Sequence, residues 1–288
     1  MNKNSQGDEP APKHNASRSW ADMGPRLSSA FVLLAITIFM VWLGGIWFAL
    51  LVAGVFAGIY REWEVMICAS PMQPLGYVLA GLLALVAIGT SLGGVMVGGA
   101  VFGVAILVAA TGKRTALAWR VFALAFISLV IMALIEIRGT QLVGFYASFF
   151  LGATVWMTDT GALFAGRHFG GAKLNPEISP AKTWSGALGG LAVGTLSGLL
   201  VWIVAVPMSS WWVGALLAAT LSLTGQLGDL SESAMKRHFR IKDSSDLIPG
   251  HGGLMDRLDS LTFGALLVFG IGLWHQGLGQ IAQGILLW

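Results

Sequence analysis

Long apolar stretches alternate with short polar breaks along the chain from Phe31 onward. A helix needs about 20 residues to cross the hydrocarbon core of a bilayer. The apolar runs between charged or Pro/Gly-rich breaks predict nine transmembrane helices, over 28–43, 45–60, 74–90, 93–111, 121–136, 139–157, 186–206, 211–227 and 261–275. The first two are separated only by Gly44 and Gly45, so one long tilted helix is an alternative there. The pattern predicts an all-α polytopic membrane protein.

Composition agrees with this fold class. The chain is 56% hydrophobic and 11% charged, whereas an ordinary soluble domain is about 25% charged. A formal net charge of +3 is too small to indicate a nucleic-acid partner. Cys68 is the single cysteine, which excludes an intrachain disulfide and a cysteine-based metal site.

The positions of the basic residues predict the orientation. With the N-terminus inside, nine spans place 16 of the 17 Lys and Arg residues on the inner side, and Arg138 is the exception. This asymmetry follows the positive-inside rule. The first 27 residues have no apolar run and are expected to form a disordered cytoplasmic tail. We therefore expect a multi-pass protein of a bacterial inner (cytoplasmic) membrane with a cytoplasmic N-terminus.

Polar chemistry is concentrated in the C-terminal region, 158–288, and is sparse in the N-terminal transmembrane region, 28–157. Two predicted inner loops, 158–185 and 228–260, each begin where an aspartate closes a span, Asp159 and Asp229. A carboxylate at the end of a span is costly unless it is paired, solvated or bound to a cation, although a solvated helix terminus is the simpler explanation for either one alone.

The second loop mixes carboxylates with basic side chains. This combination suits a metal-bound polyphosphate, because carboxylates hold Mg²⁺ while Lys and Arg neutralise phosphate charge. Asp256 and Asp259, three residues apart, are expected to share a helix face. Gly252 and Gly253 precede that helix, where backbone N–H groups can approach an anion. In the first loop, Ser179, Lys182 and Thr183 follow a proline-bounded turn and offer hydroxyl and cationic contacts to phosphate.

Residues 233–259 resemble the signature of the phosphatidate cytidylyltransferases, also called CDP-diacylglycerol synthases. The matching residues are Ser233, Lys236, Arg237, Lys242, Asp243, Ile248, Pro249, His251, Gly252, Gly253, Asp256, Arg257 and Asp259. Upstream, Asp159 to Ala162 and Ile178 to Thr183 are similar to two further stretches of that family. The chain departs from the family pattern at Leu163, Ala181 and Ser185, where Tyr, Lys and Glu are often found.

The resemblance implies a reaction that joins CTP and phosphatidic acid to give CDP-diacylglycerol and pyrophosphate, with Mg²⁺ and room for a second cation. The attacking phosphate oxygen is already ionised, so no general base is required. Catalysis would then depend on positioning and on neutralisation of charge.

The resemblance also implies a role for each site residue. Asp229 and Asp256 are the expected principal metal ligands, with Asp259 and Asp159 as supporting carboxylates. The expected catalytic residues are Asp229, Asp256, Lys182, Lys236 and Arg237. The expected phosphate-binding residues are Lys182, Lys236, Arg237, Lys242 and Arg257 as cations, His251, Gly252 and Gly253 around the nucleotide phosphates, and Ser179 and Thr183 as hydroxyl donors.

Access for both substrates requires a polar cavity that faces the cytoplasm and opens toward lipid, and a homodimer is a further expectation from glycine-rich helix packing. Two alternative functions remain. Carboxylates in membrane helices also mark transporters, although here the charges gather at one side of the membrane and there is no internal repeat. A CTP-dependent enzyme acting on another lipid phosphate has the same motif chemistry.

Overall fold

The computed structural model describes residues 23–112, 114–245 and 252–288. Those residues form a helical bundle with one short β-hairpin. The elements are α1 Met23–Leu43, α2 Gly45–Cys68, α3 Pro74–Ala109, α4 Arg114–Arg138, α5 Leu142–Phe169, β1 Lys173–Asn175, β2 Ser179–Thr183, α6 Trp184–Ala205, α7 Trp211–His238, α8 Met255–Gln276 and α9 Ile281–Leu286. The predicted all-α polytopic fold is confirmed.

Six of the described helices are long and apolar enough to cross a membrane. They are Gly45–Cys68, Pro74–Ala109, Ala116–Arg138, Trp184–Ala205, Trp211–His238 and Met255–Gln276. The protein is therefore a multi-pass membrane protein, while nine crossings remain a prediction. The predicted tail falls largely on residues 1–22, which lie outside the described residues.

The two predicted spans 74–90 and 93–111 form one element that folds back on itself. Helix α3 is interrupted at Gly93 and Gly94, where Gly94 has φ +69°, a conformation that glycine adopts without strain. The two ends of α3 meet, because a Cβ at Gly112 would lie 2.6 Å from Leu75 Cδ2. The glycine pair therefore separates two antiparallel legs, as the apolar runs predict.

Helices α5 and α7 extend well beyond the predicted spans, which corrects the predicted loops 158–185 and 228–260. The segment 158–169 is the last part of α5, and 228–238 is the last part of α7. An α-helix is held by hydrogen bonds between backbone groups, which do not require apolar side chains. These helices therefore continue past the end of the apolar run. Asp159, Asp229, Lys236 and Arg237 consequently lie on helices and not in loops.

Helix α6 packs closely on α5 through a row of glycines spaced four residues apart. Gly186, Gly190, Gly194 and Gly198 are all buried on α6. A Cβ at Gly190 would lie 2.7 Å from Thr158 O on α5. Small residues at this spacing allow membrane helices to approach closely. The contact fixes the start of α6 beside the C-terminal half of α5.

Contacts gather the predicted inner segments at one end of the bundle, here called the polar end. Arg120, near the start of α4, pairs with Glu64, near the end of α2. Arg237, near the end of α7, donates to Ile178 O in the β-hairpin. At the opposite end, Arg138 donates to Val41 O and Trp42 O, the last carbonyls of α1.

Candidate active site

A cavity of about 550 Å³ lies at the polar end between α5, the β-hairpin, α6, α7 and α8. Four aspartates contributed by three helices line it, and basic and hydroxyl side chains stand among them. The lining includes Asp159, Lys182, Thr183, Asp229, Asp256, Arg257 and Asp259. The structure thus brings seven of the fourteen site residues that the sequence predicts into the lining of one cavity.

Three carboxylates cluster beside this cavity, and two of them, Asp229 and Asp259, line it. Oxygens of Asp229, Glu232 and Asp259 all lie within 4.8 Å of one another. Asp229 and Glu232 share a face of α7 because they are three residues apart, and Asp259 faces them from α8. Charges of the same sign at this separation repel one another strongly away from bulk water. The arrangement is stabilised by any cation that enters it.

Glu232 is the member of this cluster that sequence reasoning missed as a site residue. It is 9% exposed, and its Oε1 is buried without a hydrogen-bond partner among the described residues. Its other oxygen accepts from Lys236 Nζ at 2.9 Å. A buried acceptor without a donor is costly. The spacing from Asp229 was the available signal, since residues three apart on a helix are neighbours.

Asp159 stands beside this cluster, on α5. It lines the same cavity, and its Oδ1 lies 3.5 Å from Ser260 Oγ, at the limit of a hydrogen bond. Asp259 Oδ1 accepts from the backbone N–H of Ser260 at 2.8 Å. Both positions suit carboxylates that support a neighbouring cation site.

Lys182 and Asp229 form an ion pair inside the cavity. Lys182 Nζ lies 2.7 Å from Asp229 Oδ2, and the two side chains are 25% and 34% exposed. The Lys182 Nζ atom is itself buried and has no hydrogen-bond partner besides this ion pair among the described residues. Because an ammonium carries three donors, Lys182 has donors left for a phosphate that enters the cavity.

Asp256 occupies a more enclosed position than Asp229. Its Oδ1 accepts from Lys236 Nζ at 2.5 Å, and both side chains are 13% exposed. Its Oδ2 accepts from Ser244 N, Ser244 Oγ and Gly253 N at 3.0, 2.8 and 3.1 Å. Asp256 therefore ties α7 to the loop before α8 while still lining the cavity.

Thr183 and Ser179 lie on the short β-hairpin, which the sequence did not predict. Thr183 Oγ1 accepts from Gly186 N at 3.1 Å and so caps the N-terminus of α6. The cap places Thr183 and its neighbour Lys182 at the wall of the cavity. Ser179 begins β2, where it pairs with Asn175.

The remaining predicted phosphate-binding residues are more peripheral. Arg237 is exposed and donates to Ile178 O and Ile241 O, both at 3.3 Å. Lys242 is also exposed. Gly252 has φ +79°, and His251 lies outside the described residues. The structure places Arg237 and Lys242 at the protein surface, away from the lining of the cavity.

Two of the departures from the family pattern lie at the cavity. Leu163 and Ala181 line it, and Leu163 is 49% exposed. Ser185 lies beside it, donates to Gly170 O and stands 3.1 Å from Thr183 Oγ1. The cavity therefore has an apolar, accessible side formed by α5 in addition to its charged wall.

Comparisons with known proteins agree with this arrangement. The family model described as "Cytidylyltransferase family" matches residues 25–273. A phosphatidate cytidylyltransferase of Brucella suis is 37% identical over 255 residues, which cover 86% of this chain and 93% of that protein. The phosphatidate cytidylyltransferase of Bacillus subtilis is 43% identical over 129 residues, covering 45% of this chain and 48% of that protein.

The structure is that of a polytopic membrane protein with a cavity lined by both carboxylates and basic side chains. The match to the family model spans most of the chain, and the Brucella relative is similar over nearly its whole length. The chain belongs to the cytidylyltransferase family, a family of nucleotidyltransferases.

Proposed function

We propose that the protein transfers the CMP moiety of CTP to phosphatidic acid, giving CDP-diacylglycerol and pyrophosphate in phospholipid biosynthesis. The observation that carries the proposal is the single cavity in which Asp229, Asp259 and Asp256 stand beside Lys182 and Arg257. The relatives named phosphatidate cytidylyltransferase support the choice of both substrates.

The donor set fits a divalent cation. Asp229, Glu232 and Asp259 offer hard carboxylate oxygens within 4.8 Å of one another, and Mg²⁺ binds carboxylates while it keeps sites for phosphate oxygens. The buried, unpartnered Oε1 of Glu232 is an acceptor that such a cation would satisfy. We propose that these three residues hold Mg²⁺, with Asp159 beside them.

Asp256 remains the second principal ligand that the family resemblance implies. In the structure its carboxylate is paired with Lys236. Asp256 would bind the cation when Lys236 also contacts a phosphate group of the substrate. A second cation would have Asp256 and Asp159 as the remaining carboxylates of the cavity. When bound, the cation supplies charge neutralisation for the triphosphate.

The reaction requires little covalent chemistry from the protein. A phosphate oxygen of phosphatidic acid bonds to the α-phosphorus of CTP, the bond from that phosphorus to the bridging oxygen breaks, and pyrophosphate leaves. The nucleophile is already ionised, so no proton must be removed. The main task of the protein is to position two anions that repel one another. Lys182, Lys236 and Arg257 perform this task by neutralising phosphate charge.

The other predicted contacts complete the proposal. Arg237, Lys242 and His251 would bind phosphate groups that extend beyond the cavity. Gly252 and Gly253 would frame the nucleotide phosphates, and Ser179 and Thr183 would add hydroxyl contacts.

Phosphatidic acid must reach this cavity from the bilayer. The half-exposed Leu163 at the cavity wall supports lateral entry of the headgroup, with both acyl chains remaining in lipid. Because CTP is a cytosolic nucleotide, we propose that the cavity faces the cytoplasm of a bacterial inner membrane and that the N-terminus lies on that same side. A homodimer is part of the proposal, by analogy with other glycine-rich membrane helices.

The position of a radioactive label tests the function. Purified protein is incubated with phosphatidic acid, Mg²⁺ and CTP labelled on either the α- or the γ-phosphate. Label in the lipid from α-labelled but not γ-labelled CTP is expected, with labelled pyrophosphate from the γ-labelled substrate. Lipid labelled from the γ-position would indicate a lipid kinase. Absence of both products with phosphatidic acid, but transfer to a polyprenol phosphate, would overturn the proposed substrate.

A further inference from the structure

A carboxylate from the N-terminal half of the chain is bound to the loop that precedes α8. Glu62 lies on α2 and is 1% exposed. It accepts hydrogen bonds from Ser245 Oγ at 2.5 Å, Leu254 N at 2.9 Å and Met255 N at 2.8 Å, and its Oε2 lies 3.2 Å from Ser244 Oγ. One side chain therefore binds the segment that leaves α7 and the residues that begin α8.

These contacts make Glu62 the N-terminal cap of α8. The first N–H groups of a helix have no acceptor within the helix. The N-cap residue of α8 is Leu254, whose apolar side chain cannot supply one. The carboxylate of α2 supplies the missing acceptor, and negative charge at a helix N-terminus is favourable. The cap comes from a residue 192 positions earlier in the chain than Leu254.

The Glu62 contacts adjoin those of Asp256. Ser244 Oγ donates to Asp256 Oδ2 at 2.8 Å and also lies 3.2 Å from Glu62 Oε2. Gly253 lies between the two carboxylates, since its N–H donates to Asp256 and a Cβ there would lie 2.8 Å from Glu62 Oε2. One hydroxyl and one peptide unit therefore connect Glu62 with Asp256.

Helix α2 is itself held firmly at this point. Glu64, two residues further along, pairs with Arg120 of α4 at 2.5 Å, and both side chains are almost fully buried. Trp63 Nε1 donates to Trp119 O at 3.2 Å. Glu62 therefore projects from a fixed part of the bundle, which is what a positioning group requires.

We propose that Glu62 is a positioning residue for the transfer site: it fixes the N-terminus of α8 and thereby sets Asp256 and Asp259 opposite Asp229. The role rests on the proposed function of the cavity. Glu62 contacts residues on both sides of the segment between α7 and α8, namely Ser244 and Ser245 before it and Leu254 and Met255 after it.

The test compares Glu62→Gln with wild type and with Glu177→Gln, an exposed carboxylate of the β-hairpin loop. A glutamine accepts on one oxygen and presents N–H groups to the remaining donors, so the cap is weakened with little change in volume. Ser245→Ala, which removes a single donor to Glu62, is a milder second variant. CDP-lipid formation is measured against the concentration of Mg²⁺ and of CTP.

Loss of a group that orients a ligand residue typically costs about 10- to 100-fold in metal affinity or activity. We expect a fall of that size in kcat for Glu62→Gln, an increase in the Mg²⁺ concentration for half-maximal rate, and a smaller change in the same direction for Ser245→Ala. Glu177→Gln should behave as wild type. A purely structural role would lower the amount of folded protein and leave the Mg²⁺ dependence of the surviving enzyme unchanged, and that result would overturn the proposal.

Hydrogen exchange separates this inference from the proposed function. The amides of Leu254 and Met255 should exchange faster in Glu62→Gln than in wild type, while those of α5 and α6 keep their protection, whatever reaction the enzyme catalyses. Unchanged exchange at both amides would refute the cap. Wild-type protein that shows protection there but no transfer from CTP would instead refute the proposed function.

Discussion

At the scale of single residues, the site has more carboxylates than basic side chains paired with them. The carboxylates are Asp159, Asp229, Glu232, Asp256 and Asp259. Asp256 has Lys236 and three neutral donors from the loop, and Asp229 has Lys182. Glu232 keeps one oxygen without a donor among the described residues. The carboxylates thus differ in how many donors each one has. This difference, and not the number of acidic residues, indicates where a metal cation would bind.

Glu232→Gln should increase the Mg²⁺ concentration needed for half-maximal transfer. The substitution keeps the shape of the side chain but removes one of three charges within 4.8 Å of one another, and Mg²⁺ depends strongly on carboxylate ligands. We expect an increase of about tenfold or more, by analogy with other changes around metal ligands. A Mg²⁺ titration of the transfer rate measures it, and an unchanged curve would exclude Glu232 from the cation site.

Lys236→Met should destabilise the fold. The substitution leaves Asp256 and Glu232 without their shared cation in a position where all three side chains are largely buried. Removing one partner of a buried ion pair costs about 3–5 kcal/mol, so the midpoint of thermal unfolding in detergent should fall clearly. Lys242→Met, at an exposed lysine of the following loop, is the matched control and should leave the midpoint unchanged. Equal midpoints for both variants would contradict the ion-pair account.

Much of this site could be predicted at the residue scale, but the role proposed for Glu62 could not. Asp159, Asp229, Asp256 and Asp259 stand out because carboxylates at the ends of apolar runs are unusual. Glu62 does not, since a charge just after a predicted span at 45–60 is ordinary on a membrane surface. Its role depends on the tertiary approach of α2 to residues nearly 200 positions later in the chain.

At the scale of elements, helix packing positions the charged groups. The β-hairpin leads directly into α6, and the glycine row on α6 fixes that helix against α5. Lys182 and Thr183 at the end of the hairpin are thereby held beside Asp159 of α5 in the lining of the cavity. The glycines contribute to the site although none of those in the middle of α6 has a chemical role.

Gly190→Leu should separate α5 from α6. A Cβ at this position would lie 2.7 Å from Thr158 O and 3.0 Å from Ala162 Cβ, and backbone atoms cannot move aside as a flexible side chain can. Overpacking of this kind costs about 1–3 kcal/mol, so both the unfolding midpoint and the transfer rate should fall. Gly99→Leu, at a glycine of α3 with open space around it, should change neither. A tolerated Gly190→Leu would show that the helices are not closely packed in the membrane.

Hydropathy predicts helices but not where they end. The split of α3 follows from the glycine pair between two apolar runs, and the structure confirms it. The continuation of α5 and α7 as helices through Asp159 and Asp229 was predicted wrongly as loop, because an apolar pattern stops where polar residues begin while the hydrogen-bonded backbone does not. The β-hairpin was missed because its strands are only three and five residues long.

At the scale of the whole molecule, charge is distributed asymmetrically between the two ends of the bundle. The polar end carries the cavity and its basic and acidic side chains, whereas Arg138 lies at the opposite end and is bound to the carbonyls that finish α1. Its guanidinium is thus used to cap a helix and needs no counter-ion from solvent. The exception to the positive-inside pattern therefore has a structural explanation.

Cysteine labelling tests the orientation of the bundle. Because Cys68 is the single cysteine, a Cys68→Ser background allows one reporter at a time at Thr140, beside Arg138, or at Glu177, beside the cavity. With a membrane-impermeant maleimide, Thr140→Cys should react in cells whose inner membrane is intact, and Glu177→Cys only after that membrane is opened. The reverse pattern would place the cavity on the outer side and exclude cytosolic CTP as its substrate.

The most direct measurement is the initial rate of label transfer from α-labelled CTP to phosphatidic acid over a Mg²⁺ titration, for wild type, Asp229→Asn and Asp256→Asn. The wild-type rate should require Mg²⁺, and each variant should lose about 100-fold or more, since groups that neutralise charge in the transition state commonly contribute that much. Glu177→Gln, at an exposed carboxylate of the β-hairpin loop, should match wild type. If Asp229→Asn kept the wild-type rate and Mg²⁺ dependence, the carboxylate-lined cavity would not be the site of cytidylyl transfer.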